Sequence, residues 1–83
     1  MSADPAARVT LYGKPGCHLC DDARAIVTQV CAELGVTWSE IDITQDEQLV
    51  KEYGEQIPVT FVDGRQHDFW RVDPVRLKRA LTT

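Results

Sequence analysis

The sequence predicts an α/β fold, with elements in the order β-α-β-α-β-β-α and a four-stranded mixed sheet carrying helices on both faces. Three observations carry this. A long segment ending at Leu34 repeats its apolar residues at helical spacing, whereas shorter β-branched runs elsewhere are fenced by turn residues. The first two strand-like runs are separated by that helix, so they are expected to lie parallel through a crossover. The last two are separated only by Asp63-Gly64, a two-residue hairpin signal that requires antiparallel pairing.

Taken in order, Arg8 to Tyr12 forms the first strand, bounded by Gly13 and Pro15. From about Cys17 or His18 to Leu34, Ala23, Ile26, Val27, Val30, Cys31 and Leu34 fall on one helix face, and Gly35 is the expected stop. Thr37 to Ile43 is the second strand. Thr44-Gln45-Asp46-Glu47 has capping-box spacing and should open a short helix through Leu49, Val50 and Tyr53, ended by Gly54. Ile57 to Val62 and Arg65 to Phe69 are the hairpin strands. Asp73-Pro74 supplies an N-cap and a first-turn proline for a last helix to about Leu81, with Leu77 and Leu81 on one face.

At 83 residues there is room for one core, a single domain over 8–83 behind a short flexible terminus at 1–7. Hydrophobic residues at 43% and charged residues at 27% suit a folded globular chain. A net charge of -4 argues against a nucleic-acid module. No apolar run approaches the roughly 20 residues of a membrane span. The first residues have neither the basic start nor the apolar centre of a secretory signal. A cytoplasmic monomer is the expectation. Three cysteines without a regular framework do not suit a disulfide-stapled scaffold.

The chemistry concentrates in Lys14-Pro15-Gly16-Cys17-His18-Leu19-Cys20, at the turn from strand to helix. Two sulfurs there meet the unpaired N–H groups and the positive end of the helix dipole, which favour thiolate, the reactive form. Cys17, at the helix start, is the expected attacking thiol, and Cys20, one turn further in, the resolving one. Lys14 adds a favourable charge, while Asp21 and Asp22 oppose it. His18 either stabilises the thiolate when protonated or simply faces solvent. Cys31 returns to the face of Cys20, but at about 1.5 Å per residue it lies roughly 16 Å along the helix, too far for a disulfide. It reads as a small buried hydrophobe. A closed zinc site needs about four ligands and this stretch offers the two cysteines and His18. An iron–sulfur or other metal carrier sharing Cys17 between two chains, and an inert adaptor keeping only the fold, stay open as alternatives.

The element order, together with Cys17-x-x-Cys20 after the first strand, Lys14 ahead of it and Ile57-Pro58-Val59 at the head of the third strand, resembles the glutaredoxin branch of the thioredoxin superfamily. More narrowly, it looks like the small bacterial glutaredoxin-like group. The resemblance runs from about Arg8 to Leu81. It implies a thioredoxin-like, glutaredoxin-type three-layer sandwich and a disulfide oxidoreductase with no resident cofactor and no bound metal. Protein disulfides would be its substrates. A thiol such as glutathione, or a flavoenzyme, would be its reductant. It also implies a cis bond before Pro58, with the Val59 backbone held out to pair with a substrate chain. Asp73 fits the family's last-helix start. Two places depart from the family: His18-Leu19 stands where Pro-Tyr is usual, and Trp70-Arg71 where a Gly-Gly step lets the glutathione backbone approach. Arg71 could receive an anionic substrate there. Arg76, Lys78 and Arg79 read as a solvated face, and His67 as an exposed strand residue.

Overall fold

The computed structural model describes residues 7–82, so the tail expected over 1–7 lies outside the described residues except for Ala7. The elements follow the expected order: β1 (Val9–Gly13), α1 (His18–Leu34), β2 (Trp38–Asp42), α2 (Glu47–Tyr53), β3 (Val59–Val62), β4 (Arg65–Phe69) and α3 (Pro74–Thr82). The four strands form one mixed sheet in the order β2-β1-β3-β4. β1 runs parallel to β2 and antiparallel to β3, and β3 is antiparallel to β4.

Strand register sorts the core onto two faces. Val9 lies opposite Val62 and Leu11 opposite Thr60, so these side chains share one face. That face is covered by Ala23, Val27, Val30 and Cys31 of α1 and by Leu77 and Leu81 of α3, all buried. Tyr12 lies opposite Val59 on the other face, which α2 covers through Leu49 and Tyr53. There Tyr12, Tyr53 and Phe61 meet with ring centroids 5.1 to 5.9 Å apart. The result is three layers, as the resemblance implied.

The hairpin confirms its sequence signal in detail. Asp63 and Gly64 have φ of 52° and 83°, the two left-handed positions that a type I′ turn requires. The Arg8 guanidinium clasps the Asp63 carboxylate with bonds of 2.9 and 2.8 Å and donates to the Leu81 carbonyl at 3.0 Å. Arg8 thereby holds the Asp63 carboxyl below the usual carboxylate range and ties the turn to the end of α3.

Four expectations need correcting. β1 and β2 are Val9–Gly13 and Trp38–Asp42 rather than 8–12 and 37–43, because Ile43 turns inward to begin a single 3₁₀ turn over Ile43–Gln45. Thr44 is not the cap of α2. Its N–H and hydroxyl are both taken by the Asp42 carboxylate, at 2.9 and 2.6 Å, and Asp46 caps the helix by accepting from the Gln48 N–H. β3 begins at Val59, not Ile57, because the Ile57 N–H bonds back to the Tyr53 carbonyl at 3.0 Å and so leaves the ladder. His67 is half-buried rather than exposed. It is the extra residue at a β-bulge, where Phe61 faces Gln66 and Thr60 faces Asp68.

Candidate active site

The site forms where β1 hands over to α1. Cys17 is the N-cap of α1, with extended backbone (φ -98°, ψ 115°), and its sulfur accepts the Cys20 N–H at 3.3 Å. This is one of the helix's otherwise unpaired donors, so the cap that starts the helix is the candidate nucleophile. Cys17 is half-buried, Cys20 is 0% exposed, and both are free thiols. Burial, with Cys17 alongside, pushes the Cys20 thiol up to about 11, opposed in part by the Lys14 backbone N–H and the Arg24 charge. Cys20 therefore keeps its proton at neutral pH, while the accessible sulfur is that of Cys17.

Gly13 makes room for this arrangement. A Cβ at that position would stand 3.1 Å from the Cys20 sulfur, closer than a side chain normally approaches. A side chain at the last residue of β1 would therefore press on the Cys20 sulfur, which would have to give by a few tenths of an ångström.

The charges behind the sulfurs are more ordered than the sequence suggested. Asp21 does not act alone against a thiolate, because its carboxylate binds Arg24 at 2.8 Å. Arg24 also grips both Glu40 oxygens, at 2.8 and 2.6 Å, which holds the guanidinium more firmly protonated. Arg24 and Glu40 are the residues that sequence reasoning missed. The former lies on the polar side of α1 and the latter on a different strand, and nothing in their spacing links them. Together with Gly13, Lys14, Asp21 and Asp42 they line an open cavity of about 410 Å³.

The remaining expected site residues divide. Pro58 is fully buried and its preceding peptide bond is cis. Its neighbour Ile57 belongs to the buried cluster of Cys20, Ile43 and Val59, against which Cys17 packs. Lys14 and His18 are exposed, and the His18 side chain makes no hydrogen bond or ion pair among the described residues. Asp73 serves α3: its carboxylate accepts the Val75 and Arg76 N–H groups at 2.9 and 3.3 Å. Arg76 reaches Asp68 at 3.2 Å and Lys78 reaches Glu33 at 2.8 Å, so that basic face is partly paired. Arg71 is exposed and enters no ion pair among the described residues. Val59 does not offer its backbone outward. It is 0% exposed and pairs with Tyr12 on one side and Phe69 on the other, so each edge of its backbone meets a strand. Among the described residues, no three His, Cys, Asp or Glu side chains come together as a metal site.

The difference in burial makes a direct prediction. Alkylation by iodoacetamide at neutral pH modifies Cys17 first, with Cys20 and Cys31 protected until the chain unfolds, and peptide mapping by mass spectrometry reads this. Equal labelling of Cys20 would contradict the buried thiol. The same burial sets a pH dependence. Cys20 ionises at about 9.0 in the unfolded chain and at about 11 in the fold. Its contribution is complete below pH 9 and lost as pH rises towards 11, since the unfolded chain releases its proton first. Urea midpoints should therefore fall across that window, and Cys31, also raised by burial, acts in the same direction.

The family model described as "Glutaredoxin-like domain (DUF836)" matches residues 8–82. An uncharacterized protein of Mycobacterium tuberculosis is 33% identical over 76 residues, covering 86% of this chain and 78% of that protein. The X-ray structure of protein XcR50 from X. campestris superposes with a TM-score of 0.74 at 35% identity, covering 88% of this chain and 93% of that one. A mutant thioredoxin from Halobacterium salinarum shares the fold, with a TM-score of 0.59 at 24% identity over 88% of this chain and 71% of its own.

Proposed function

The chain belongs to the glutaredoxin-like domain family, and on that premise we propose that it is a thiol–disulfide oxidoreductase working through Cys17 and Cys20. The observation that carries this reading is the cap itself. An accessible sulfur at a helix N-terminus accepts the N–H of a second, buried cysteine at 3.3 Å. In the reaction, the Cys17 thiolate attacks one sulfur of a substrate disulfide, and the other sulfur leaves as a thiolate that solvent protonates. A mixed disulfide now holds the substrate on Cys17. Cys20 gives up its proton to solvent and attacks the Cys17 sulfur, the bond from Cys17 to the substrate breaks, and the second substrate sulfur departs as a thiolate that solvent protonates. Two electrons have passed to the substrate, and the Cys17–Cys20 disulfide remains.

Raising the Cys20 thiol to about 11 suits this order. A protonated partner does not compete for the substrate, and it becomes a nucleophile only once the mixed disulfide is beside it. Protein or low-molecular-weight disulfides are the substrate class. The reductant that resets the pair is a thiol such as glutathione or a thioredoxin-reductase-type flavoenzyme, and the reading needs no resident cofactor. The cytoplasm, where such reductants are abundant, is the proposed compartment, and a monomer suffices for every step. Lys14 and His18 stand at the exposed rim and would meet the substrate first. Ile57, ahead of the cis bond to Pro58, packs in the cluster that holds Cys20.

Equilibration in graded thiol–disulfide redox buffers tests the reading. One intramolecular disulfide should form between Cys17 and Cys20 while Cys31 stays free, as mapped by proteolysis and mass spectrometry. Absence of that disulfide at every poise would sink the proposal. The alternative, an iron–sulfur or metal carrier joining Cys17 of two chains, would show as a coloured, metal-containing dimer in anaerobically purified protein.

A further inference from the structure

Trp70 is held in a conformation that a tryptophan rarely adopts. Its φ is 64°, in the left-handed region that favours glycine. Three hydrogen bonds keep it there. The backbone N–H is shared between the Pro58 carbonyl at 2.8 Å and the Gln56 carbonyl at 3.2 Å, and the indole Nε1 donates to the Glu55 carbonyl at 3.0 Å. All that anchoring leaves the ring at the surface. Trp70 is 52% exposed and Phe69, in edge contact with it at 5.0 Å, is 47% exposed. Backbone strain of this kind persists where the surroundings over-determine it, and it clusters at binding sites.

The location supplies the site. Trp70 bonds to Pro58, whose neighbour Ile57 packs in the cluster around the two cysteines. A groove of about 440 Å³ runs from Leu19, between the cysteines, along Ala23 and Ile26 of α1 to Trp70, Arg71 and Val72. Its walls are mostly apolar. It holds one carboxylate, Asp22, and one guanidinium, Arg71, which has no ion-pair partner among the described residues.

We propose that Trp70 is a specificity-determining residue that selects extended polypeptide disulfides over small-molecule ones, with Arg71 pairing an acidic residue of the bound segment. This rests on the oxidoreductase reading above. A polypeptide places an apolar side chain in the groove against the indole while its disulfide meets Cys17. A small disulfide has nothing to place there and gains nothing from the ring. Loss of such an aromatic contact, together with the apolar area it buries, sets the expected effect at about tenfold.

The test uses single-turnover reduction by the pre-reduced protein, so that the Cys17/Cys20 dithiol supplies both electrons. The probes are a peptide disulfide flanked by leucine and glutamate, its lysine-flanked analogue, and bis(2-hydroxyethyl) disulfide. Trp70→Gly, which relaxes the backbone, should slow the glutamate peptide about tenfold and leave the small disulfide within about twofold. Trp70→Asn also tolerates the left-handed conformation and should behave alike, while Trp70→Phe restores most of the peptide rate. Arg71→Ala should erase a preference of up to about fivefold for the glutamate peptide over the lysine peptide. Thermal unfolding accompanies each variant, so a folding defect in Trp70→Gly is recognised and the Asn and Phe variants decide. Equal loss on both kinds of disulfide, or no loss on either, overturns the proposal while the oxidoreductase reading stands. A wild-type protein that reduces none of the probes removes that reading and this inference with it.

Discussion

Cys17→Ser should abolish disulfide reduction, and Cys20→Ser should halt it halfway. A serine hydroxyl at the N-cap still accepts the residue-20 N–H, so α1 keeps its start and the fold is retained. What disappears is the attacking sulfur, and neither remaining cysteine can replace it, because Cys20 and Cys31 are buried and that burial pushes both thiols up. The reduction rate should fall at least about a thousandfold. Cys20→Ser leaves the attacking sulfur but removes the only thiol that can release it, so substrate accumulates covalently on Cys17. Non-reducing gels and intact-mass spectrometry read that adduct, and dithiothreitol should discharge it. A Cys31→Ala control should retain the activity of the parent protein. Full activity of both serine variants would remove the dithiol mechanism altogether.

How much of this was legible beforehand follows from the range of the interactions involved. Features set by neighbouring residues could be read. The amphipathic stripe of α1, the Asp63-Gly64 turn, the Asp73-Pro74 start of α3 and the Cys17/Cys20 pair at a strand-to-helix turn all appear where expected. The Thr44 misreading was also local, but there two caps competed. Asp42 offers a charged acceptor to the Thr44 N–H, which displaces the helix start to Asp46. The Arg24–Glu40 clasp and the bulge at His67 were not legible, since the first depends on how α1 packs against β2 and the second on strand register. Val59 was misassigned for the same reason. A backbone looks available from sequence until β1 and β4 are placed on its two sides. Trp70 is the intermediate case. Its place where the resembled family has a Gly-Gly step was visible. Its left-handed backbone and its exposed ring were not.

Leu77→Ala should be among the most damaging single truncations for stability, and it should separate folding from chemistry. Leu77 is 0% exposed and projects from α3 into the cluster of Val9, Leu11, Val27 and Val62. Removing a buried leucine costs roughly 2–5 kcal/mol, through lost transfer energy and the cavity left behind. A chain of 83 residues has a total stability of about 4–12 kcal/mol at the usual 0.05–0.15 per residue. A loss of about 3 kcal/mol therefore takes a large share of it, and lowers Tm by about 12–24 °C at 4–8 °C per kcal/mol. The sulfurs, however, belong to the other buried cluster, with Ile43, Ile57 and Val59, and Gly13 makes room for Cys20 independently of α3. Below its midpoint the variant should alkylate at Cys17 as the parent does and reduce bis(2-hydroxyethyl) disulfide at the parent's rate per folded molecule. Polypeptide substrates should suffer more, because Val72, which lines the groove beside Trp70, packs in the same cluster as Leu77. Urea melts beside single-turnover rates measure both effects. If the small-disulfide rate per folded molecule drops together with Tm, the two buried clusters are not the separate supports that their packing describes.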